Sequence, residues 1–357
     1  MSIKEIAALA GVSPSTVSRI LNNPAYKTSS PEVRDKVWKI AIENNYAPNE
    51  AARNLKKGVK QEKRKNYYIN ILMTRTDNAH IDPFFDELLR IIETEIHKNS
   101  CILSRIWYNS VFSDDKRCKR ERVDHLIETM YAEADGQCDG LIIIGKCNKE
   151  AMMKLKSRFK NVVCVNRNAS QYRIDEVVCD GEKLAEMAVN YLISLGHTNI
   201  AYVGSCHNEA RYNGYIKTLQ KNGIEPELSY IVETKQTEAE GYETIKKILM
   251  KEDCPTGIYC SNDITAIGML KYLSQHKHYY MPSIIASDDI EEAQNSTPML
   301  TTVKVPKEEM GKFALMLLLD RMKNGHSSTV KVEVEGSLMV RNSCSRVEEG
   351  YWNDYCI

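Results

Sequence analysis

No stretch of the 357 residues approaches the roughly 18 uncharged apolar positions of a membrane-spanning helix. Nor does Met1-Ser2-Ile3-Lys4-Glu5 lead into the apolar core of a signal peptide, so a cytoplasmic protein without a membrane partner is expected. Glycine and proline are sparse, 17 and 10, which excludes collagen-like and low-complexity classes. The 11 Cys include no Cys-x-x-Cys pair and no Cys group joined to His at zinc spacing, so no metal is expected and the thiols fit a reducing compartment. Cys164, Cys179 and Cys260 each lie in an apolar run and read as small core residues. No Gly-x-Gly-x-x-Gly follows a strand pattern, and no Ser, His and Asp set has suitable spacing, so neither an enzyme nor a cofactor is expected. The run Gly140-Leu141-Ile142-Ile143-Ile144-Gly145-Lys146-Cys147 imitates a phosphate-binding loop but ends in Cys where that loop needs Ser or Thr. Its four central residues are also a buried-strand run, whereas a phosphate cradle needs a turn of free amides.

Net charge is absent as well, because 48 Lys and Arg balance 48 Asp and Glu, but the balance is uneven along the chain. Residues 1–66 hold 13 Lys and Arg against 6 Asp and Glu, a net of +7, leaving 35 against 42 and a net of −7 for residues 67–357. A basic head precedes an acidic body, and the run Lys56-Lys57-Gly58-Val59-Lys60-Gln61-Glu62-Lys63-Arg64-Lys65 marks their boundary. Taken alone, such a run is either a solvated linker or a nucleic-acid contact.

The N-terminus favours the second. Ile3, Ile6, Ala7 and Ala10 stand at helical spacing, Gly11 breaks the run, and Ser13 can cap a second helix that has Pro14 at its first position. Val17, Ile20 and Leu21 give that helix its buried stripe. Two short helices joined by a tight turn form a helix-turn-helix, whose second helix can enter the major groove of DNA. Its exposed side then carries Pro14, Ser15, Ser18 and Arg19. Arginine suits paired hydrogen bonds to guanine, while the hydroxyls of Ser13, Ser15, Thr16 and Ser18 and the helix-start amides suit phosphates. A third helix over 31–45 is expected to bury Val33, Val37, Ile40 and Ala41, with Trp38 in the core beside them. On geometry alone an ordinary three-helix packing module remains an alternative.

The segment from Ile3-Lys4-Glu5-Ile6-Ala7-Ala8-Leu9-Ala10-Gly11-Val12-Ser13 through Pro14-Ser15-Thr16-Val17-Ser18-Arg19-Ile20-Leu21-Asn22 resembles the headpiece of the lactose/galactose-repressor (LacI/GalR) family of bacterial transcription regulators. Tyr46-Ala47-Pro48-Asn49-Glu50-Ala51-Ala52-Arg53-Asn54-Leu55 resembles that family's hinge helix, about 48–57 here. The resemblance implies that Pro14, Ser15 and Arg19 read bases, and that Ala52 and Leu55 enter the minor groove. There a pair of Leu wedges from a dimer opens a base step, at a cost of a few kcal/mol that the bent duplex offsets. The alternative for Leu55 is a short amphipathic helix packed on its own body.

The rest of the chain reads as alternating strands and helices. Strands are expected at 69–74, 102–108, 140–144 and 162–165, with helices at 82–98, 120–134 and 149–159 between them. A second series has a helix at 181–195, a strand at 200–203 and three further alternations to about 286. Two successive α/β units imply two parallel-sheet lobes with a cleft at the carboxyl ends of their strands. The resemblance implies the same periplasmic-binding-protein-like effector domain, with 300–304, 308–323 and 330–335 crossing back between lobes. Six motifs stand in the family's order, among them Asp82-Pro83-Phe84-Phe85, Arg211-Tyr212-Asn213-Gly214-Tyr215 and Ser261-Asn262-Asp263-Ile264-Thr265. By that resemblance Phe84 or Phe85 supplies an apolar ring face, and Asn166, Arg211, Asn262 and Asp288 meet hydroxyl groups. Amide, guanidinium and carboxylate groups around an aromatic face suit a sugar. Asn262-Asp263 read alone could be only a helix cap, and Arg211 only a surface charge. The family's Gly-x-Asp-Asp stands here as Ala286-Ser287-Asp288-Asp289, which restricts the backbone near Asp288, and Asn166 replaces a frequent Asp. His197 reads as structural, at a helix-to-strand junction.

The expected organisation is a headpiece with hinge at 1–58, a basic linker at 59–66, a two-lobed effector and dimerisation domain at 67–345 and a tail at 346–357. The expected function is a sugar-responsive regulator, a repressor that binds a palindromic double-stranded DNA operator as a homodimer. A cytosolic sugar-binding or sugar-converting protein built on the same body is the alternative, opposed by the headpiece.

Overall fold

The computed structural model describes residues 3–22, 30–44, 66–75, 82–113, 123–166, 168–170, 172–276 and 281–347. They belong to two compact units, Met1–Lys65 and Asn66–Ile357. In the first, α1 (Ile3–Ala10), α2 (Pro14–Asn22) and α3 (Pro31–Glu43) enclose a small core of Ile6, Ala7, Ala10, Val17, Ile20, Leu21, Val37 and Ala41. Val33 and Ile40 pack at its edge. Trp38 corrects the sequence expectation: it is 37% exposed. It follows Val37 by one residue, about 100° around the helix from the buried stripe. Gly11 makes the α1–α2 turn with φ +70°, a region glycine enters without steric cost, and Val12 donates its N–H to Ala7 O at 3.1 Å.

The second unit opens with β1 (Tyr68–Met73), α4 (Pro83–Lys98), β2 (Ile102–Tyr108), α5 (Val123–Ala134), β3 (Gly140–Ile144), α6 (Lys149–Arg158), β4 (Val162–Asn166) and β5 (Asp175–Val178). Then come α7 (Gly181–Ser194), β6 (Ile200–Gly204), α8 (Ala210–Lys221), β7 (Ile231–Glu233), α9 (Glu238–Leu249), β8 (Gly257–Cys260), α10 (Asp263–Gln275), β9 (Ser283–Asp288), α11 (Glu291–Asn295) and β10 (Thr301–Lys304). The chain ends its described course with α12 (Lys307–Met322), β11 (Lys331–Glu333) and β12 (Ser337–Met339). Two six-stranded sheets result, ordered β11-β5-β4-β3-β1-β2 and β12-β10-β9-β8-β6-β7. Their pairings are parallel except β10 with β12. The chain therefore crosses between lobes after β5, after β10 and after β11.

Helices on both faces of each sheet explain why the central strands β1, β3, β4, β6, β8 and β9 are buried along almost their whole length and not on alternate residues. In lobe one Leu72, Leu141, Ile143 and Cys164 face α5 and α6, while Ile71, Ile142, Ile144 and Val165 join the cluster that contains α4 and α12. Gly140–Ile144, the run that imitates a phosphate loop, is thus a buried strand. Cys164, Cys179 and Cys260 are all buried. Two strands are not evident from the sequence. β5 starts with Asp175 and Glu176, both buried yet satisfied: Asp175 receives Arg321 Nη2 at 2.7 Å, His326 Nε2 at 2.9 Å and the Val330 N–H at 2.9 Å. Glu176 accepts from Ser170 N at 3.0 Å and pairs with Lys331 at 3.2 Å. β12 is only three residues long.

Candidate DNA-reading and effector sites

The start of α2 is a locked cap. Ser13 Oγ accepts the Thr16 N–H at 3.2 Å and lies 2.7 Å from Ser15 Oγ and 2.9 Å from Thr16 Oγ1. The cap fixes the helix N-terminus, where unpaired amides favour an anion. Val17, Ile20 and Leu21 turn inward, so Pro14, Ser15 and Arg19 are exposed and Ser18 and Thr16 half-buried. The proposed minor-groove pair, Ala52 and Leu55, with the whole hinge helix, lies outside the described residues, as does most of the basic linker.

In the second unit the effector candidates separate into two groups. Arg211 and Asp288 are buried in lobe two, with the half-buried Glu209 beside Arg211. Arg211 is only 3% exposed, donates from Nε to Glu209 Oε1 at 2.7 Å and from Nη2 to Glu209 Oε2 at 3.0 Å, and also reaches Ser261 O. Burial works against the guanidinium charge, but Glu209, and beyond it Asp288, more than offset this and keep it protonated. Arg211 is therefore no surface charge. Beneath the cluster lie Tyr202 and Tyr259, ring centroids 5.9 Å apart, with Tyr259 Oη 2.9 Å from Ser287 Oγ. Asn262 does serve as a helix cap: its Oδ1 accepts from Thr265 Oγ1 at 2.6 Å and Thr265 N at 3.3 Å, and its Nδ2 donates to Gln236 O at 3.1 Å.

The lobe-one group is placed differently. Asp82 caps α4 through the Phe84 N–H at 3.0 Å, and Phe84 and Phe85 make an edge-to-face pair 5.1 Å apart, both buried. Asn166, at the end of β4, lines a cavity of about 300 Å³ together with Lys146, Cys164, Ser170 and Glu176. Gly145 beside it has φ +93°, and a Cβ there would sit 2.7 Å from Arg75 Cγ and 2.8 Å from Thr74 Oγ1, so only glycine fits the end of β3. Lys146 Nζ reaches across to Asn208 O in lobe two at 3.3 Å. His197, buried between Thr256 Oγ1 at 3.0 Å and Ser345 O at 2.9 Å, ties the end of α7 to the residue before β8 and to the segment after β12; burial lowers its pKa, against the pull of Ser345 O.

Sequence reasoning missed Glu209, Lys146 and Lys307. Glu209 stands at the N-cap of α8 and accepts the Arg211 N–H at 3.2 Å, but Glu is not a preferred cap residue, so the sequence did not mark it. Lys307, in Val305-Pro306-Lys307, reads only as a helix start.

Among the described residues no helix is long and apolar enough to cross a membrane. A family profile described as "Bacterial regulatory proteins, lacI family" matches residues 2–49, and one described as "Periplasmic binding protein-like domain" matches residues 189–344. The HTH-type transcriptional repressor MelR of Bacillus subtilis is 29% identical over 356 residues, covering 96% of this chain and 97% of its own. The repressor CytR of Escherichia coli K12 is 29% identical over 352 residues, with 96% of each chain covered. The transcriptional regulator CelR in its cellobiose complex superposes with a TM-score of 0.65 at 20% identity, covering 96% of this chain and 100% of that one. The lac repressor dimer bound to operator and the anti-inducer ONPF gives 0.64 at 22% identity, covering 97% and 99%. With a lacI-family profile on the first unit, a periplasmic-binding-protein-like profile on the second and whole-length relatives that are repressors, the chain joins a lacI-family helix-turn-helix domain to a periplasmic binding protein-like domain.

Proposed function

We propose that the protein is a cytoplasmic, sugar-responsive repressor of carbohydrate-utilisation genes that binds a palindromic double-stranded DNA operator as a homodimer. The observation that carries this reading is the exposed face of α2, where a capped N-terminus and Arg19 stand clear of a closed three-helix core. Pro14, Ser15 and Arg19 are assigned to bases, Ser13, Thr16 and Ser18 to the backbone, and Ala52 and Leu55 to the minor groove. The division into headpiece and hinge at 1–58, linker at 59–66, effector domain at 67–345 and tail at 346–357 belongs to the same proposal. A small sugar is assigned to the interlobe cleft, contacting Phe84, Phe85, Asn166, Arg211, Asn262 and Asp288. Supporting this, CelR holds cellobiose in its solved complex, and a LacI-family regulator of Enterococcus faecium, 25% identical with a TM-score of 0.63, holds ribose. No catalytic residue, cofactor or metal is assigned.

Operator selection from random duplexes by the full chain is the test. It is expected to enrich a palindrome with half-sites about one helical turn apart. Arg19→Ala should cost about 1–3 kcal/mol and relax one position in each half-site. Failure to enrich any palindrome overturns the function, while unchanged preference in Arg19→Ala moves Arg19 to the phosphates.

A further inference from the structure

Lys307 is the first residue of α12, where the chain re-enters lobe one after β10, and its side chain is buried. The ammonium donates to the carbonyls of Asp288 at 3.1 Å and Asp289 at 2.8 Å, both in lobe two. It also pairs with Glu87 Oε2 on α4 of lobe one at 2.8 Å, and the Phe84 ring centroid is 5.7 Å away. Three acceptors match the three hydrogens of an ammonium. Glu87 Oε1 in turn accepts the Glu291 N–H, at the start of α11, at 2.9 Å.

The two carbonyls belong to consecutive non-glycine residues with positive φ, +149° at Asp288 and +52° at Asp289. Such backbone persists only where its surroundings over-determine it. Arg341 holds the Asp289 carboxylate at 2.5 Å and Asp263 holds the Ile290 N–H at 3.0 Å, both from within lobe two. Lys307 supplies what they do not: a grip on the same turn from a residue that is also anchored in lobe one.

We infer that Lys307, with Glu87, is a positioning clamp that sets the strained Asp288–Asp289 turn against the Phe84 end of α4, so that the cleft carboxylate and the lobe angle move as one unit. This rests on reading Asp288 as an effector contact. A change in lobe angle has to stretch either the Lys307–Glu87 pair or the carbonyl contacts, and neither gives way without altering the backbone that aims Asp288.

Hydrogen exchange on the full chain, without any sugar, tests the clamp. Glu87→Gln keeps the shape and removes the charge. Amides of residues 286–292 in lobe two and of 84–90 in lobe one are expected to exchange about ten- to hundredfold faster, the worth of a charge-assisted hydrogen bond. Those of 257–260, in the neighbouring strand β8, should keep their rates. An unchanged 286–292 segment overturns the inference, and so does equal acceleration of 257–260, which would make Glu87 a general support of the fold. Lys307→Met should give the same pattern, and adding Glu87→Gln to it should change 286–292 little further; additive effects overturn the coupling. Since no sugar is involved, a chain with this pattern but no sugar response overturns the effector reading alone.

Discussion

Asp263 shows how one buried group carries two signals. It opens α10 and is fully buried, with Thr302 Oγ1 donating to Oδ1 at 2.5 Å and the Ile290 N–H to Oδ2 at 3.0 Å. Burial pushes its pKa up to about 6, above the ordinary 3.8, although the Thr302 and Ile290 hydrogen bonds pull it back. Between those two values the folded chain holds a proton that the unfolded chain has lost. The contribution of Asp263 to stability therefore falls as pH rises through that window and levels off above it. Asp263→Asn removes the ionisation, and its amide can still accept from Ile290 and donate to Thr302. Urea unfolding of both proteins across the window should show the difference in stability shift toward the variant by up to about 3 kcal/mol as pH rises. A difference independent of pH would show that Asp263 does not titrate there. At this scale the sequence was legible where chemistry is local: the Ser13 cap and the Asn262 cap could each be inferred from neighbours within a few positions, and His197 read as structural from its junction although its partners Thr256 and Ser345 are distant. Lys307 was not, because its partners Glu87 and Asp288 are distant in the chain.

Elements were legible in proportion to how far their own side chains explain their burial. β3 and β4 are mostly Ile, Leu and Val, and β1 is apolar except for the buried Asn70; such strands make sense only between two layers of helix, and α4 and α7 begin with Asp82 and Asp180 as caps. β5 is the instructive exception, since Asp175 and Glu176 read as solvent-facing until Arg321, His326 and Lys331 arrive from beyond residue 320 to satisfy them. Burial raises the Asp175 pKa, yet the hydrogen bonds from Arg321, Val330 and His326 leave it below the usual carboxylate range. Trp38 departs for the opposite reason: an aromatic beside a stripe reads as part of it, though the helix turns it outward. The α1–α2 turn allows a direct check. Gly11 has φ +70° with no atom within 4 Å of the point an added methyl would occupy, so Gly11→Ala suffers from backbone conformation alone. The expected loss is about 1 kcal/mol, visible as roughly fivefold faster exchange of the α1 and α2 amides. An unchanged rate would mean that the turn adopts another conformation.

At the scale of the molecule, the +7 of residues 1–66 and the −7 of residues 67–357 divide the labour between a head suited to a polyanion and a body that has no electrostatic use for one. A sugar in the body can alter operator affinity only by binding two arrangements of the lobes with unequal strength, and coupling of this kind is typically about 1–3 kcal/mol, or about 5- to 150-fold. The lobes are joined by the three crossings after β5, β10 and β11, and Arg211, Glu209 and Asp288 belong to lobe two. Arg211→Ala leaves the half-buried Glu209 without its bidentate partner, removing the group proposed to meet sugar hydroxyls. The head is untouched by it. Operator titrations of Arg211→Ala without sugar should therefore match the parent protein within about twofold, while the sugar-induced shift disappears. The measurement is a pair of anisotropy titrations for each protein, with and without the sugar that produces the largest shift in the parent. A shift of undiminished size in Arg211→Ala would place the ligand away from this cluster, because a ligand that loses none of its preference for one lobe arrangement has lost no contact that distinguishes the two.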